Sequence, residues 1–230
     1  MKTIGLLGGM SWESTVTYYR IINETIMKEL GGFHSSKCII YSVDFDEIEA
    51  CQSSGNWEKS GEILGDAAKK LQDAGADLVI ICANTMHKVV KQIKEKISIP
   101  LIHIADATCD EIEKTGMKKV ALLGTKYTME QDFYKQILID RGLTILIPNE
   151  EERVYINHVL YTETGMGIIK EESKKRFLQI IDRLVSQGAE CAILGCTEIG
   201  LLINQNDTKT PLFDTTIIHA TRAALYSIDK

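Results

Sequence analysis

Three consecutive residues near the C-terminal end of the chain carry side chains that are suited to moving protons. Cys196, Thr197 and Glu198 follow a short apolar run, residues 191–194, and a glycine. This pattern is typical of a strand that ends in a turn and enters a helix, and a helix N-terminus lowers the pKa of a thiol. A buried structural thiol is the alternative, since free cysteine is among the most buried residue types. The small and helix-capping residues beside Cys196 favour a reactive thiol.

The same pattern occurs once more, earlier in the chain. Residues 75–85 align with residues 188–198, and residues 4–8 align with residues 120–124, at a spacing of about 115 residues in both cases. Either match alone is expected of the general βα composition of such proteins. Two matches in the same order indicate instead a duplicated α/β unit of about 110 residues.

The duplication predicts two domains, and it aligns one position of the first domain with Cys196 of the second. The first half is residues 1–102 together with 211–230, because the last strand and helix are expected to return to it, and the second half is residues 103–210. In the alignment Ala83 stands opposite Cys196.

The elements that must position these residues are short apolar runs separated by amphipathic segments. Near-continuous runs are typical of strands buried on both faces of a parallel sheet, and their alternation with helices predicts an α/β fold. The runs are residues 4–7, 38–43, 78–82, 99–104, 120–123, 143–147, 191–194 and 212–213. Reactive groups of such folds collect beyond the carboxyl ends of the strands. Here those ends are residues 8–11, residues 83–85, Thr125 and residues 196–198.

Composition limits the class of protein. Hydrophobic residues make up 44% and charged residues 25% of the chain, which is typical of a globular protein. The net charge of −6, without a basic face, argues against nucleic acid as a partner. No apolar run approaches the length of a membrane span, and the N-terminus is read as a strand rather than as a signal peptide. Six cysteines without a C-x-x-C pair favour reduced thiols and a cytoplasmic location.

The sequence also predicts no metal and no cofactor. The five histidines have no metal-ligand spacing. No glycine-rich nucleotide motif follows the first strand, and no strand-end lysine suggests a pyridoxal Schiff base.

Five blocks of sequence resemble one family of enzymes. They are residues 4–15 (IGLLGGMSWEST), 84–87 (NTMH), 103–108 (HIADAT), 121–125 (ALLGT) and 195–202 (GCTEIGLL). The chain is similar, over essentially its whole length, to the aspartate/glutamate racemases, which are cofactor-independent amino-acid racemases.

The resemblance implies a fold and a reaction. It implies two pseudo-symmetric flavodoxin-like (Rossmann-like) α/β halves with a cleft between them, and usually a homodimer. It also implies that one residue abstracts the α-proton of aspartate or glutamate and another reprotonates the opposite face. In most members both are cysteines, one directly before Asn-Thr and one directly before Thr. Cys196 matches the second of these positions.

The first position departs from the family pattern, because the residue before Asn84 is Ala83. Three explanations are open: an engineered substitution, a naturally one-sided enzyme, or loss of racemase activity. Cys82 is a poor substitute, since successive strand residues point to opposite faces. Thr85 is expected closer to the cleft, but its unactivated hydroxyl is a poor base.

The remaining predicted site residues bind substrate. Asn84, Thr85 and Thr197, with the amides at two helix starts, are suited to binding carboxylates. Met10 and Ser11 would line the floor of the site, unless the segment is a plain strand-to-helix turn.

The resemblance adds further contacts. It places Gln52 against the side-chain carboxylate of the substrate, and Thr125 ends the strand that corresponds to the first strand. Glu163 and Glu198 are expected to bind the substrate ammonium or to hold the thiol proton, although Glu163 is equally expected on a solvated helix face. The family's basic residue near residues 165–168 is not obvious.

The sequence therefore favours an isomerase that inverts the α-carbon of an acidic amino acid. One alternative is a protein that binds an acidic amino acid on this scaffold without turning it over. Another is a related α-carbanion enzyme, such as a decarboxylase, that needs only one cysteine.

Overall fold

A computed structural model describes all 230 residues as two compact units. The first unit is Met1–Ile104 with His219–Lys230, and the second is Ala105–Ile218.

The first unit is built on a three-stranded parallel sheet. Its strands are β1 (Ile4–Gly8), β2 (Cys38–Ser42) and β3 (Leu78–Ile81), in the order β2-β1-β3. Every residue of β1 and β3 is buried, as expected from their continuous apolar sequences. The run predicted as a strand at 99–104 makes only a single bridge, between Val79 and Leu101.

The second unit contains a four-stranded parallel sheet. Its strands are β4 (Lys119–Gly124), β5 (Thr144–Leu146), β6 (Cys191–Gly195) and β7 (Leu212–Asp214), in the order β5-β4-β6-β7. The first three strands of each sheet thus have the same order. The predicted α/β class with parallel sheets is confirmed.

Helices connect the strands and cover the sheets. They are α1 (Trp12–Leu30), α2 (Phe45–Ser54), α3 (Trp57–Asp73), α4 (Val90–Lys96), α5 (Ile104–Glu113), α6 (Lys126–Glu130), α7 (Asp132–Asp140), α8 (Glu150–Thr162), α9 (Glu171–Ser186), α10 (Ile199–Leu202) and α11 (Thr215–Ser227). Three short 3₁₀ helices are Thr85–Val89, Thr164–Met166 and Gln205–Asp207.

Two apolar clusters lie on opposite faces of the first sheet. On one face Leu6 and Ile80 pack with Tyr18 and Ile22 of α1 and with alanines of α11. The other face, with Leu7, packs mainly against α3 and α4. A single cluster that includes β4, β6, α8 and α9 forms the core of the second unit.

Two predictions about local structure are wrong. The last strand, β7, does not return to the first half, because Leu212 pairs with Ala192 of β6 in the second sheet, and the chain re-enters the first unit only at His219. The capping-box spacing of Thr128 and Gln131 in the sequence predicts that Thr128 caps the helix that carries Phe133, and it does not. It lies buried within α6, because Thr125 already ends the strand and caps a short helix there.

No helix of the chain combines the length and the apolar character that crossing a membrane requires.

Candidate active site

The turn after β6 brings a thiol and a carboxylate into contact. The Sγ of Cys196 donates a hydrogen bond to Oε2 of Glu198 at 2.9 Å, and Oγ1 of Thr197 donates to the same oxygen at 2.6 Å. The amide of Ile199 closes the turn on the carbonyl of Cys196 at 3.1 Å. Cys196 and Glu198 are both buried, so their interaction is poorly screened by water.

The electrostatics of this turn correct one prediction. Burial, with the negative charge of Glu198, raises the pKa of the Cys196 thiol well above its ordinary value, and the nearby amides offset this only in part. The predicted lowering by a helix N-terminus is outweighed, because α10 has only four residues and begins after the turn. Cys196 is therefore a protonated thiol in this structure, and its Sγ donates a hydrogen bond to Glu198.

Neighbouring strand ends place Thr125 beside this turn. Gly124 at the end of β4 is in register with Gly195 of β6. A Cβ on Gly195 would lie 2.8 Å from the carbonyl oxygen of Leu123, so glycine allows the two strand ends to approach closely. Thr125 follows Gly124 and is buried, with its hydroxyl capping α6 at the amide of Thr128.

Glu163, unlike Glu198, does not contact the Cys196 turn. It follows the last residue of α8, where its carboxylate accepts from Ser173 at 2.6 Å and pairs with Lys170 at 2.9 Å. These two partners lower the pKa of Glu163. The carboxylate contacts Lys170 and Ser173 rather than Cys196. Lys170 is a basic residue close to residues 165–168 that sequence reasoning did not identify.

In the first unit, the turn between β1 and α1 is held by its own polar groups. Gly9 has a φ of +94°, and a Cβ there would collide with the carbonyl oxygen of Val43. Its amide donates to Oγ1 of Thr15 at 2.9 Å, and that hydroxyl donates to the carbonyl of Ser11 at 3.1 Å. The Ser11 hydroxyl caps α1 by accepting from the amide of Ser14. Ser11 is therefore a structural residue of this turn in the absence of substrate.

Ala83 and Cys82 face opposite sides of the first sheet. Cys82 belongs to the apolar cluster that contains Tyr18, whereas Ala83 belongs to the cluster that contains Met10 and Met86. Burial raises the pKa of Cys82 far above its ordinary value. The alternation predicted for these two residues is confirmed, and Cys82 lies on the wrong face of the sheet to replace a base at position 83.

Gln52, Asn84 and Thr85 are buried near Ala83 in the first unit. The amide nitrogen of Gln52, on α2, lies 3.0 Å from the sulfur of Met86. Asn84 and Thr85 begin the 3₁₀ helix that carries Met86. The α2 helix thus brings Gln52 to the same segment as Asn84 and Thr85.

A sequence model of the Asp/Glu/hydantoin racemase family matches residues 7–223. The chain belongs to this family. It is 23% identical to the broad specificity amino-acid racemase RacX of Bacillus subtilis, over 92% of each chain.

Solved structures agree with this assignment. A candidate Asp/Glu racemase from Yersinia pestis is 48% identical and superposes with a TM-score of 0.92, covering 99% of this chain and 100% of that one. An aspartate racemase homologue, PH1733 from Pyrococcus horikoshii, is 38% identical with a TM-score of 0.86 and the same coverage.

Sequence reasoning did not identify two buried histidines, His87 and His219, whose rings form hydrogen bonds to backbone groups. Nε2 of His87 accepts from the amide of Ile104 at 3.2 Å, so Nδ1 carries the proton and donates to the carbonyl of Ala83 at 2.8 Å. Nε2 of His219 donates to the carbonyl of Ile102 at 2.9 Å, and Nδ1 lies 2.9 Å from the hydroxyl of Tyr18. The four-residue spacing between Ala83 and His87 in a turn was the available signal.

Sequence reasoning also missed a partly buried acidic residue, Asp214. Asp214 ends β7, beside β6, and its Oδ1 accepts from the amides of Thr216 and Ile217 at 2.9 and 3.2 Å. Burial raises its pKa. A Cβ on Gly200 would collide with Oδ2 of Asp214, so a larger residue at this position of α10 would have to displace the carboxyl group.

No group of three or more histidine, cysteine, aspartate or glutamate side chains in the chain is arranged to hold a metal ion.

Proposed function

We propose that the protein is a cofactor-independent racemase-type enzyme for acidic amino acids, in which Cys196 moves the α-proton of aspartate or glutamate. The observation that carries this proposal is the 2.9 Å contact between the Cys196 thiol and the Glu198 carboxylate at the end of a buried strand. Membership of the Asp/Glu/hydantoin racemase family, with close similarity to a candidate Asp/Glu racemase, supports it.

In this mechanism Glu198 first accepts the proton of Cys196. The resulting thiolate removes the α-proton of the substrate, which is very weakly acidic. The retained ammonium of the substrate and amides aimed at its carboxylate stabilise the negative charge that develops. Because both residues are buried, the thiolate is poorly hydrated and correspondingly reactive.

Ala83 limits what the chain does on the other face of the α-carbon. Racemisation requires a second acid or base, and a methyl group neither gives nor takes a proton. We propose that the chain exchanges the α-proton of one enantiomer faster than the other. In the family the second-half cysteine serves the L-enantiomer, so L-aspartate or L-glutamate is the expected substrate for exchange.

We assign the substrate contacts to the residues of each unit that the sequence predicts for the site. In the first unit we propose that Asn84 and Thr85 bind a carboxylate, that Gln52 contacts the distal carboxylate, and that Met10 and Ser11 line the site. In the second unit we propose that Thr125 and Thr197 contact the substrate and that the Glu198 carboxylate binds the ammonium group of the substrate. Lys170, through its pair with Glu163, offers a basic group for the distal carboxylate.

We further propose a cytoplasmic location and a homodimer. The six cysteines are all free, as expected in a reducing compartment.

Ala83 also supports a second function, that of a protein that binds an acidic amino acid without inverting it. A one-cysteine α-carbanion enzyme is a third. Proton exchange in deuterated water, followed by NMR with each enantiomer of aspartate and glutamate, separates them. Deuterium uptake with retained configuration indicates one-base chemistry, and uptake with inversion indicates racemisation. Binding with neither event, in wild-type protein, contradicts the enzyme proposal.

A further inference from the structure

A groove on the second unit is lined by Tyr155 of α8 and by one face of α9. Its volume is about 540 Å³, which is within the range of small-molecule sites. The residues that line this groove, the α9 groove, are Tyr155, Glu171, Glu172, Lys175, Arg176 and Gln179. None of them belongs to the candidate active site.

The lining of the α9 groove carries two charges of each sign. Glu171 and Glu172 stand in the first turn of α9. Lys175 and Arg176 follow one turn later, about 6 Å along the helix axis. The lining is therefore neutral overall, but its positive and negative groups are separated. Such a surface is complementary to a ligand that carries both charges, more than to a simple anion or cation.

The two cations of the α9 groove are not used within the chain. Arg183 of the same helix pairs with Glu152 of α8, with 2.8 Å between Nε and Oε1, whereas Lys175 and Arg176 form no ion pair. Arg176 is also half-buried. A guanidinium that has lost part of its water binds a carboxylate strongly, because both of its hydrogen bonds are then charge-assisted.

We propose that the α9 groove is a second ligand site, which binds a zwitterion with its ammonium group at Glu171 and Glu172 and its carboxylate at Lys175 and Arg176. This binding does not depend on the proposed function.

The spacing of the charges favours a dipeptide over a free amino acid. In a free amino acid the ammonium and the carboxylate are attached to the same carbon atom. An extended chain adds about 3.5 Å per residue, so two residues reach from the acidic pair to the basic pair of α9. The amide of Gln179 offers a donor and an acceptor for the peptide group, and the ring of Tyr155 offers a surface for an aromatic side chain.

A chain of hydrogen bonds connects the α9 groove with Glu163. The hydroxyl of Tyr155 donates to Oγ of Ser173 at 3.4 Å, and that hydroxyl donates to Oε2 of Glu163 at 2.6 Å. Oε1 of Glu163 accepts from Lys170 at 2.9 Å. The first contact is long for two hydroxyl groups, so the Tyr155 hydroxyl is available to a ligand. Ser173 is buried, so water does not replace the donor that it would lose.

A ligand that engages the Tyr155 hydroxyl therefore acts on Glu163. Loss of this donor weakens the hydrogen bond from Ser173, because hydrogen bonds in a chain strengthen one another. Glu163 is then held mainly by Lys170, and Lys170 is less available to the distal carboxylate of a substrate. This effect, unlike the binding itself, rests on the proposed function. The dipeptide is thus expected to weaken substrate binding.

Isothermal titration calorimetry of the full chain with glycyl-L-phenylalanine tests the site. We expect one dipeptide to bind per chain. N-acetylglycyl-L-phenylalanine and glycyl-L-phenylalaninamide should bind about 10-fold more weakly, because each lacks one charged group. Absence of dipeptide binding, or equal binding of either derivative, overturns the zwitterion site. Tighter binding of L-phenylalanine than of the dipeptide overturns the choice of a dipeptide.

Variants locate the ligand in the α9 groove. Arg176→Gln and Glu172→Gln should each raise the dissociation constant of the dipeptide about 10-fold, since each removes one charged partner. Lys91→Gln is the matched control, because Lys91 is an exposed lysine of α4 in the first unit, and it should leave binding unchanged. Circular dichroism confirms that each variant is folded. Wild-type affinity in Arg176→Gln overturns the assignment to this groove.

The connection to Glu163 is tested by titrating L-aspartate with and without saturating dipeptide. The dipeptide should raise the dissociation constant of L-aspartate about 5-fold or more. Ser173→Ala should remove this effect while the dipeptide still binds. An unchanged aspartate affinity in the wild-type protein overturns the connection. If neither L-aspartate nor L-glutamate binds at all, the proposed function is contradicted, and the dipeptide titrations decide the groove independently.

Discussion

The imidazole of His87 holds the carbonyl of Ala83, with 2.8 Å between Nδ1 and the oxygen. Its other nitrogen is fixed by the amide of Ile104, so the ring has one orientation and one tautomer. Burial, together with the two histidines nearby, lowers the pKa of His87 well below its ordinary value, so the ring is neutral. The backbone at position 83 is thus held in place although its side chain is only a methyl group.

Cys196→Ser should abolish most exchange of the substrate α-proton. A general acid or base in place is worth about 10²–10⁴-fold, and a hydroxyl does not supply a comparable base. Deuterium uptake by L-aspartate and L-glutamate, measured by NMR, checks this. Cys191→Ala, which removes another buried thiol from β6, the strand that precedes this turn, should retain exchange. Undiminished exchange in Cys196→Ser would exclude Cys196 as the base.

Ala83→Cys should raise racemisation by about 10²–10⁴-fold, because it places a thiol as a second acid or base on a backbone that His87 already positions. Polarimetry or chiral chromatography measures the gain. Cys82→Ala should not lower the rate, since Cys82 lies on the opposite face of the sheet. Fast and equal exchange of both enantiomers by the unaltered Ala83 protein would show that another group already serves as the second base.

Glu198→Gln should separate the acidity of Cys196 from its activity. The charge of Glu198 raises the pKa of the thiol, so its removal should shift the pH profile of iodoacetamide alkylation at Cys196 toward lower pH. Exchange of the α-proton should nevertheless fall, because the acceptor of the thiol proton is gone. An unchanged alkylation profile would contradict the electrostatic coupling of the two residues.

His219→Gln should flatten the acid limb of the stability curve. Burial lowers the pKa of His219 to about 4, whereas an unfolded histidine has a pKa of 6.5. Its contribution is complete above pH 6.5 and is lost as the pH falls toward 4, by about 1.4 kcal/mol per pH unit. Urea unfolding at pH 7 and pH 5 measures the change.

The control for that comparison is His34→Gln, at an exposed loop histidine, which should leave the pH dependence unchanged. An equally steep acid limb in His219→Gln and wild type would show that His219 takes up no proton on unfolding. Some slope should remain in the variant, because the pKa values of His87 and His103 are lowered by burial in the same direction.

The sequence allows prediction of those helix ends and strands that depend on residues close to one another in the chain. Ser11 and Gly31 cap the two ends of α1, and residues of these types are recognisable as helix caps from the sequence because capping depends only on nearby residues. The placement of β7 depends on pairing with Ala192, which is distant in sequence, and a strand of three residues carries too little pattern to reveal it.

The residue types of the candidate site could be predicted from sequence motifs, whereas the electrostatics of the Cys196 turn could not. The motifs located Cys196 and Ala83, but the high pKa of the thiol arises from burial, which only the folded chain creates. The hydrogen bonds of His219 to Ile102 and Tyr18 join distant segments, so no spacing in the sequence could indicate them.

The pairing of Cys196 with Glu198 also bears on how long the protein survives in the presence of oxidants. Peroxides attack the thiolate, and a thiol that keeps its proton is largely inert to them. A cysteine that is ionised at rest is oxidised progressively to sulfenic and sulfinic acids, whereas in the proposed mechanism Cys196 gives up its proton only when Glu198 accepts it. In the proposed mechanism, the carboxylate that accepts the thiol proton during catalysis thus also protects the thiol from irreversible oxidation between turnovers.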